Sequence, residues 1–244
     1  MKALAPILLA LAAPAAAQDA YTSPPESALS LSGSATLLSD YRFRGISSSN
    51  NRPALQGTLT ASHRSGLFAS AFASTLADYA AREAEAELDL IAGYSATRGG
   101  TTVEVGATYY VYPGARGDSD YVEPYASVSH LLGPVTARVS ASYAPHQRGL
   151  TGLSGRRDDG LYLAADASGA LPNGLGLSAR LGRSFGASPT GARENYTDWS
   201  LGATYQRDAL ALGLSYVDTD TRVRTPAGRN ISGATFVLSA AVRF

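Results

Sequence analysis

The chain has 244 residues with no Cys, one Met, one Trp, 25 Gly and 14 Tyr, and is 45% hydrophobic but only 16% charged. Basic and acidic residues balance at 20 each, which argues against the basic excess of a nucleic-acid binder. Without Cys there is no disulfide framework, thiol nucleophile or Cys-ligated metal. Beyond the N-terminus no apolar run reaches the roughly 20 residues of a membrane-crossing helix.

Residues 1–17 read as a secretory signal peptide. Lys2 supplies the positive start, Ala5 to Ala13 the apolar stretch, and Ala15-Ala16-Ala17 an A-x-A site before Gln18. Lys2 is the only Lys, so the exported chain would use Arg alone as its base. No Cys follows the cleavage point, which excludes a lipoprotein anchor. Residues 18–28, with Pro24-Pro25, read as an extended periplasmic leader.

From Leu29 onward the hydrophobic period is two, the mark of half-buried strands. Leu29, Leu31, Gly33, Ala35, Leu37, Tyr41 and Phe43 share one face. Ser30, Ser32, Ser34, Thr36, Asp40, Arg42 and Arg44 share the other. The alternation returns through the chain, ending with Phe236, Leu238, Ala240, Val242 and Phe244. It predicts about twelve strands, near 29–46, 54–63, 66–76, 85–96, 101–112, 121–131, 134–145, 160–169, 174–185, 196–206, 209–218 and 233–244. Most have about ten residues, the length a tilted strand needs to cross a bilayer.

Short links alternate with long polar ones, as in outer-membrane barrels, whose periplasmic turns are tight and external loops long. The expected fold is therefore all-β: a transmembrane antiparallel up-and-down barrel over residues 29–244, with both termini on the periplasmic side. A secreted β-sandwich shares the alternation and is the alternative. Aromatic residues favour the barrel. Tyr41, Phe43, Tyr109, Tyr143, Trp199 and Tyr216 fall near the external ends of the outward face. Phe68, Tyr94, Tyr205 and Phe244 fall near the periplasmic ends, giving two girdles at headgroup level.

Several stretches resemble a proteobacterial family of TorF-type porins, also catalogued as Gcw_chp-type outer-membrane proteins of unknown function. They are Ser39-Asp40-Tyr41-Arg42-Phe43-Arg44-Gly45-Ile46-Ser47, followed by Pro53-Ala54-Leu55-Gln56-Gly57. Further along come Glu87-Leu88-Asp89-Leu90 with Gly93-Tyr94, and Tyr109-Tyr110-Val111-Tyr112-Pro113-Gly114. The resemblance implies an outer-membrane barrel and a channel; it implies no substrate.

If the apolar face meets lipid, the other face lines a lumen of mostly Ser, Thr, Gly and Ala. Roughly twelve strands exceed the eight whose inner side chains just fill a barrel, so a narrow water-filled pore is expected. Candidate lining and constriction residues are Asp40, Arg42, Arg44, Gln56, Glu85, Glu87, Asp89, Tyr110, Tyr112, Glu123, Tyr125, Arg138 and Arg180, with Asp166 and Asp198 nearby. Arg42 and Arg44 facing Glu87 and Asp89 would set a transverse field across the passage. The competing reading is that these groups pair with one another, fill the lumen and lock the barrel. Arg183 would point to lipid and snorkel towards lipopolysaccharide phosphate.

Catalysis has little support. His63, His130 and His146 stand in no nucleophile motif and form no metal cluster; only His146, with Asp158 and Asp159 on its loop, leaves a rim hydrolase open. The sequence thus predicts passive passage of a small polar solute without a cofactor. A structural or adhesive barrel with a plugged lumen is the alternative. The partners expected are membrane lipid, lipopolysaccharide, and the barrel-assembly machinery through Phe244.

Overall fold

The computed structural model describes residues 28–77 and 80–244. The expected signal peptide and all but the last residue of the leader lie outside these. In chain order the strands are β1 (Leu29–Leu38), β2 (Arg42–Phe43), β3 (Ile46–Ser47), β4 (Ala54–His63), β5 (Leu67–Thr75), β6 (Ala86–Arg98) and β7 (Thr101–Val111). Then follow β8 (Tyr121–Leu132), β9 (Val135–Ala144), β10 (Gly160–Ala170), β11 (Leu175–Gly186), β12 (Tyr196–Arg207), β13 (Leu210–Thr219) and β14 (Thr235–Arg243). All except β2 and β3 are staves of one closed antiparallel barrel of 12 strands.

Chain neighbours pair throughout, and β1 closes the ring against β14 from Ser34↔Arg243 to Leu38↔Ser239. Gly33 and Phe244 exchange backbone hydrogen bonds of 2.8 and 3.0 Å at the foot of this seam. A side chain on Gly33 would run into the Phe244 ring, its Cβ 2.6 Å from the nearest ring carbon. The glycine thus leaves the place over which the ring lies. All connections at one end of the barrel are short and those at the other long, so the ends are named here by their connections.

The alternation of side chains now has a physical address. Along β5, Leu67, Ala69 and Ala73 are exposed on the outer wall, while Phe68, Ser70, Phe72 and Ser74 are buried inside. The outer wall carries a belt of bare aliphatic side chains, among them Leu31 at 65%, Leu201 at 62% and Leu238 at 60% exposure. A Leu left in water forgoes roughly 1.5–3 kcal/mol relative to burial, so such a belt is suited to lipid. Tyr94, Tyr109, Tyr143, Tyr205 and Phe244 are exposed on this wall, with Trp199 and Tyr216 partly exposed beside them. The Tyr216 ring packs edge-on against Phe236 at 5.5 Å. Arg183, half-exposed on the same wall, bonds Thr197 and Asp220 and lies 5.7 Å from the Phe185 ring.

Three girdle assignments are corrected. The first strand stops at Leu38 rather than 46, and residues 39–53 fold into the lumen. Tyr41 and Phe43 are therefore buried inside, at 0% and 6% exposure, and not in lipid. The cause is local. Arg44 and Gly45 both take left-handed backbone angles (φ 49° and 82°), the pattern of a two-residue hairpin, and fold β2 onto β3. Period two continues through this hairpin, but both of its faces meet protein. Phe68 also points inward, packed with Ile91 and Tyr125, because the outward position at the start of β5 belongs to Leu67.

Candidate functional site

Residues 39–53 form a strap across the interior at the long-connection end. Asp40 is its internal anchor. Its carboxylate accepts from Arg42 Nε at 2.6 Å, from Ser47 Oγ at 2.5 Å and from Ser49 Oγ at 3.0 Å. Arg42 also donates to the carbonyls of Gly45 and Gly233 and to Asn51 Oδ1. Asp40, Arg42, Ser47 and Ser49 are all buried, so these bonds satisfy groups that would otherwise lie without partners inside the barrel. Gly45 sits so close to the wall that a Cβ would come within 2.4 Å of Thr219 and 2.8 Å of Asp198.

Arg44 crosses the lumen. Its Nη2 lies 2.5 Å from Glu123 on β8, and its guanidinium rests over the rings of Phe43 and Tyr162, at 4.8 and 4.2 Å from their centroids. Both partners of the ion pair are nearly excluded from solvent, at 8% and 4% exposure. Tyr196 donates its hydroxyl to the Arg44 carbonyl at 3.1 Å. Tyr41 donates to Glu87 at 2.9 Å and Tyr112 to the other Glu87 oxygen at 3.3 Å. Burial first, and the Glu87 charge second, hold the Tyr41 phenol well above its ordinary range, so it stays a donor.

Aromatic rings fill the space between. Tyr110 and Tyr121 stack at 4.4 Å, Tyr112 lies 6.4 Å from Tyr121, and Phe43 meets Tyr110 edge-on at 6.1 Å. Leu150, from the short helix α1 (Arg148–Ser154), packs in the same cluster and is fully buried. This half of the interior is a packed core.

The other half is lined by small polar residues and a few charges. Asp166 on β10 is directly opposed by Arg138 of β9 and by Arg180 of β11, and Arg180 Nε lies 2.6 Å from it. At 16% and 19% exposure this pair is more open than the strap's. Back at the strap, beneath the Arg44 guanidinium, Tyr162 donates to both oxygens of Asp198 at 3.0–3.1 Å. Gln56, on the lumenal face of β4, donates to Ser74 at 3.3 Å. Tyr125 is buried against Gly106, whose missing side chain leaves room for the ring.

The expected transverse pairing is therefore rearranged. Arg44, Glu87, Asp89, Tyr110, Tyr112 and Glu123 come together, but Arg42 closes on Asp40 within the strap and does not face the acids of β6. Glu85 is corrected outright: β6 begins at Ala86, and Glu85 is exposed in the connection, donating its N–H to the Pro113 carbonyl. Sequence reasoning missed Phe72, Tyr162 and Tyr196. The available signal was Arg44-Gly45, a hairpin dipeptide inside a segment read as one strand. His63 bonds Ser65, and His130 bonds Thr101. Asp158 is held by Arg156, and Asp159 accepts from Tyr143, so the acids proposed to assist His146 are occupied by other groups. Among the described residues no group of three or more His, Asp or Glu could hold a metal ion.

A closed up-and-down barrel with an aliphatic outer wall, aromatic margins and a polar-lined interior defines the class of β-barrels built for a bilayer. Within that class, the chain belongs to the family described as "Bacterial protein of unknown function (Gcw_chp)", whose model matches residues 22–242. No curated protein matches the sequence. Among solved structures it is similar to the KdgM porin at TM-score 0.57 and 8% identity, covering 87% of this chain and 98% of that one. The NanC porin gives TM-score 0.58 at 14% identity, covering 88% and 99%. An outer-membrane channel from Pseudomonas putida F1 gives 0.51 at 13%, covering 90% and 98%. At these identities the likeness is one of fold.

Proposed function

We propose that this protein is a bacterial outer-membrane, porin-like channel for passive diffusion of small polar solutes, with its long connections outside and the 39–53 strap as its constriction. The observation that carries the reading is the pairing of an aliphatic outer wall with a polar, charge-bearing lumen inside a closed barrel. The fold shared with porins and the resemblance to TorF-type porins support it, and no catalytic role is part of it. Lipid and lipopolysaccharide would contact the girdles and Arg183, and Phe244 would be read by the barrel-assembly machinery. The test is reconstitution of the purified, folded protein in planar bilayers and in liposomes swollen with sugars, amino acids and organic anions. Discrete conductance steps and solute-dependent swelling are the expected result. Absence of both from a protein proven folded would sink the channel.

One observation favours a second reading: Tyr41, Tyr121 and Leu150 are fully buried in the long-connection half. A barrel plugged there would serve as a structural or adhesive body presenting its outer loops. It predicts no conductance in the native chain, and none after the strap is loosened by Arg42→Ala with Arg44→Ala. The channel reading predicts that this double variant raises conductance or alters ion selectivity.

A further inference from the structure

The long connections differ in charge. Those leading into β6, β8 and β10 mix the two signs, and within them Arg116 pairs with Glu83 and Arg156 with Asp158. Residues 221–234, between β13 and β14, hold Arg222, Arg224 and Arg229 and no Asp or Glu. All three arginines are exposed, and among the described residues none has an acidic partner. The acids nearest in the chain and across the loops are engaged by other groups. Asp218 accepts from Tyr216 and the Thr219 N–H, Asp220 takes Arg183 and the Thr197 N–H, and Glu194 accepts from Thr221.

The segment is a framed hairpin. Arg224 bridges Asn230, Ile231 donates its N–H to the Val223 carbonyl at 3.0 Å, and Gly228, at φ 84°, closes the turn on the Thr225 carbonyl at 2.8 Å. Val223 and Ile231 form its underside, packed with Ile46 of the strap and Tyr196 of β12. Ser47 donates its N–H to the Ile231 carbonyl, and Asn51 its side-chain amide to that of Asn230. The hairpin therefore lies on the strap, at the mouth of the barrel rather than on its outer wall. Arg224 donates to the Gly228 carbonyl and Arg229 to that of Asn50. A guanidinium has five N–H donors, so most of theirs are left for solvent or a ligand. We infer that this hairpin is a collecting site for small acidic solutes with more than one carboxylate or phosphate group. The guanidinium fork matches the paired oxygens of such groups, and a field of one sign raises the local concentration of opposite charge. Lipid phosphates surround the outer wall, whereas this face overlooks the mouth, so the occupant is a solute.

The inference rests on the channel reading for where the solute goes next; binding itself can be read on the folded barrel in detergent. The experiment is titration calorimetry at low salt with citrate and with pyrophosphate. It compares the native chain, the triple variant Arg222→Gln, Arg224→Gln and Arg229→Gln, and Arg156→Gln as a loop control. Native protein should bind at least one of the two probes, and binding should weaken as salt is raised. The triple variant should bind about tenfold more weakly or worse, and Arg156→Gln should match the native chain. No binding of either probe by native protein, or equal binding by the triple variant, overturns the site. If the triple variant does not fold, Arg222→Gln alone should weaken binding by about threefold, and unchanged affinity there overturns it as well. Lipopolysaccharide that binds through the three arginines while neither probe does would overturn the solute assignment in favour of lipid phosphate. Bilayer recordings on the same samples separate the two questions. Current without probe binding rejects the site and keeps the channel; hairpin-dependent binding without current keeps the site and rejects the channel.

Discussion

Two ion pairs inside one barrel have opposite characters. Arg44–Glu123 joins the strap to the wall across the interior, at 8% and 4% exposure, under aromatic rings. Arg180–Asp166 lies along the wall between adjacent strands, at 16% and 19% exposure, with Arg138 opposed on the far side. The first pair holds a tertiary closure that no strand pairing enforces. The second decorates a register already fixed by the ladder from Gly160↔Gly186 to Ala170↔Gly176. The long-connection half is thus tightly packed around the strap, and the short-connection half is a more open, polar-lined vestibule. Charge in the first is closed off by packing; charge in the second is partly exposed to the lumen.

The largest effect should come from breaking the first pair. Arg44→Ala leaves Glu123 buried without its cation and should cost about 3–5 kcal/mol in urea unfolding of the detergent-folded barrel. Trp199, the sole Trp, reports the transition. Adding Glu123→Gln should recover more than half of that loss, because the stranded charge is then gone. A full loss persisting in the double variant would show that the aromatic seat, rather than charge, dominates. Tyr41→Phe should follow at about 1–2 kcal/mol, since Glu87 loses its shorter hydroxyl donor while Tyr112 stays. A loss for Tyr41→Phe as large as that for Arg44→Ala would erase the ranking within the strap.

How far the sequence carried this picture follows the same division. Where a strand has lipid on one side and lumen on the other, period two states its phase without ambiguity, so the staves, their alternation of short and long links and the closing β14 were all legible. The strap was not. Tyr41 and Phe43 continue an alternation that looks lipid-facing, because a hairpin folded inside a lumen has the same period as a stave. Only the left-handed Arg44-Gly45 pair distinguishes them, and that is a statement about backbone angles rather than hydrophobicity. Phe68 was misread for the opposite reason: in β5 both neighbours at the strand start are large and apolar, and phase there depends on one residue. The ion pairs were beyond reach altogether. Spacing placed Arg42, Arg44, Glu87 and Asp89 on inward faces, but which acid meets which arginine is decided by the strap's path across the barrel.

The smallest stability effect, and the sharpest test of the vestibule, belongs to Arg180→Ala. The pair is partly hydrated and spans neighbouring strands, a setting in which an opposite-charge pair contributes about 0.2–1 kcal/mol. Asp166 also keeps Arg138 opposite it after the change. The variant should therefore unfold within about 1 kcal/mol of the native barrel. Its effect should appear instead in the recordings: with one positive charge gone from a water-reached wall, selectivity under a salt gradient should shift towards cations. Such a field effect is screened over roughly 10 Å at 0.1 M salt, so the shift should shrink as salt is raised. The same change in Arg44 couples stability and conductance together, because that arginine holds the strap. If Arg180→Ala instead destabilised the barrel as much as Arg44→Ala, the two halves would not differ in kind, and the short-connection half would have to be regarded as core as well.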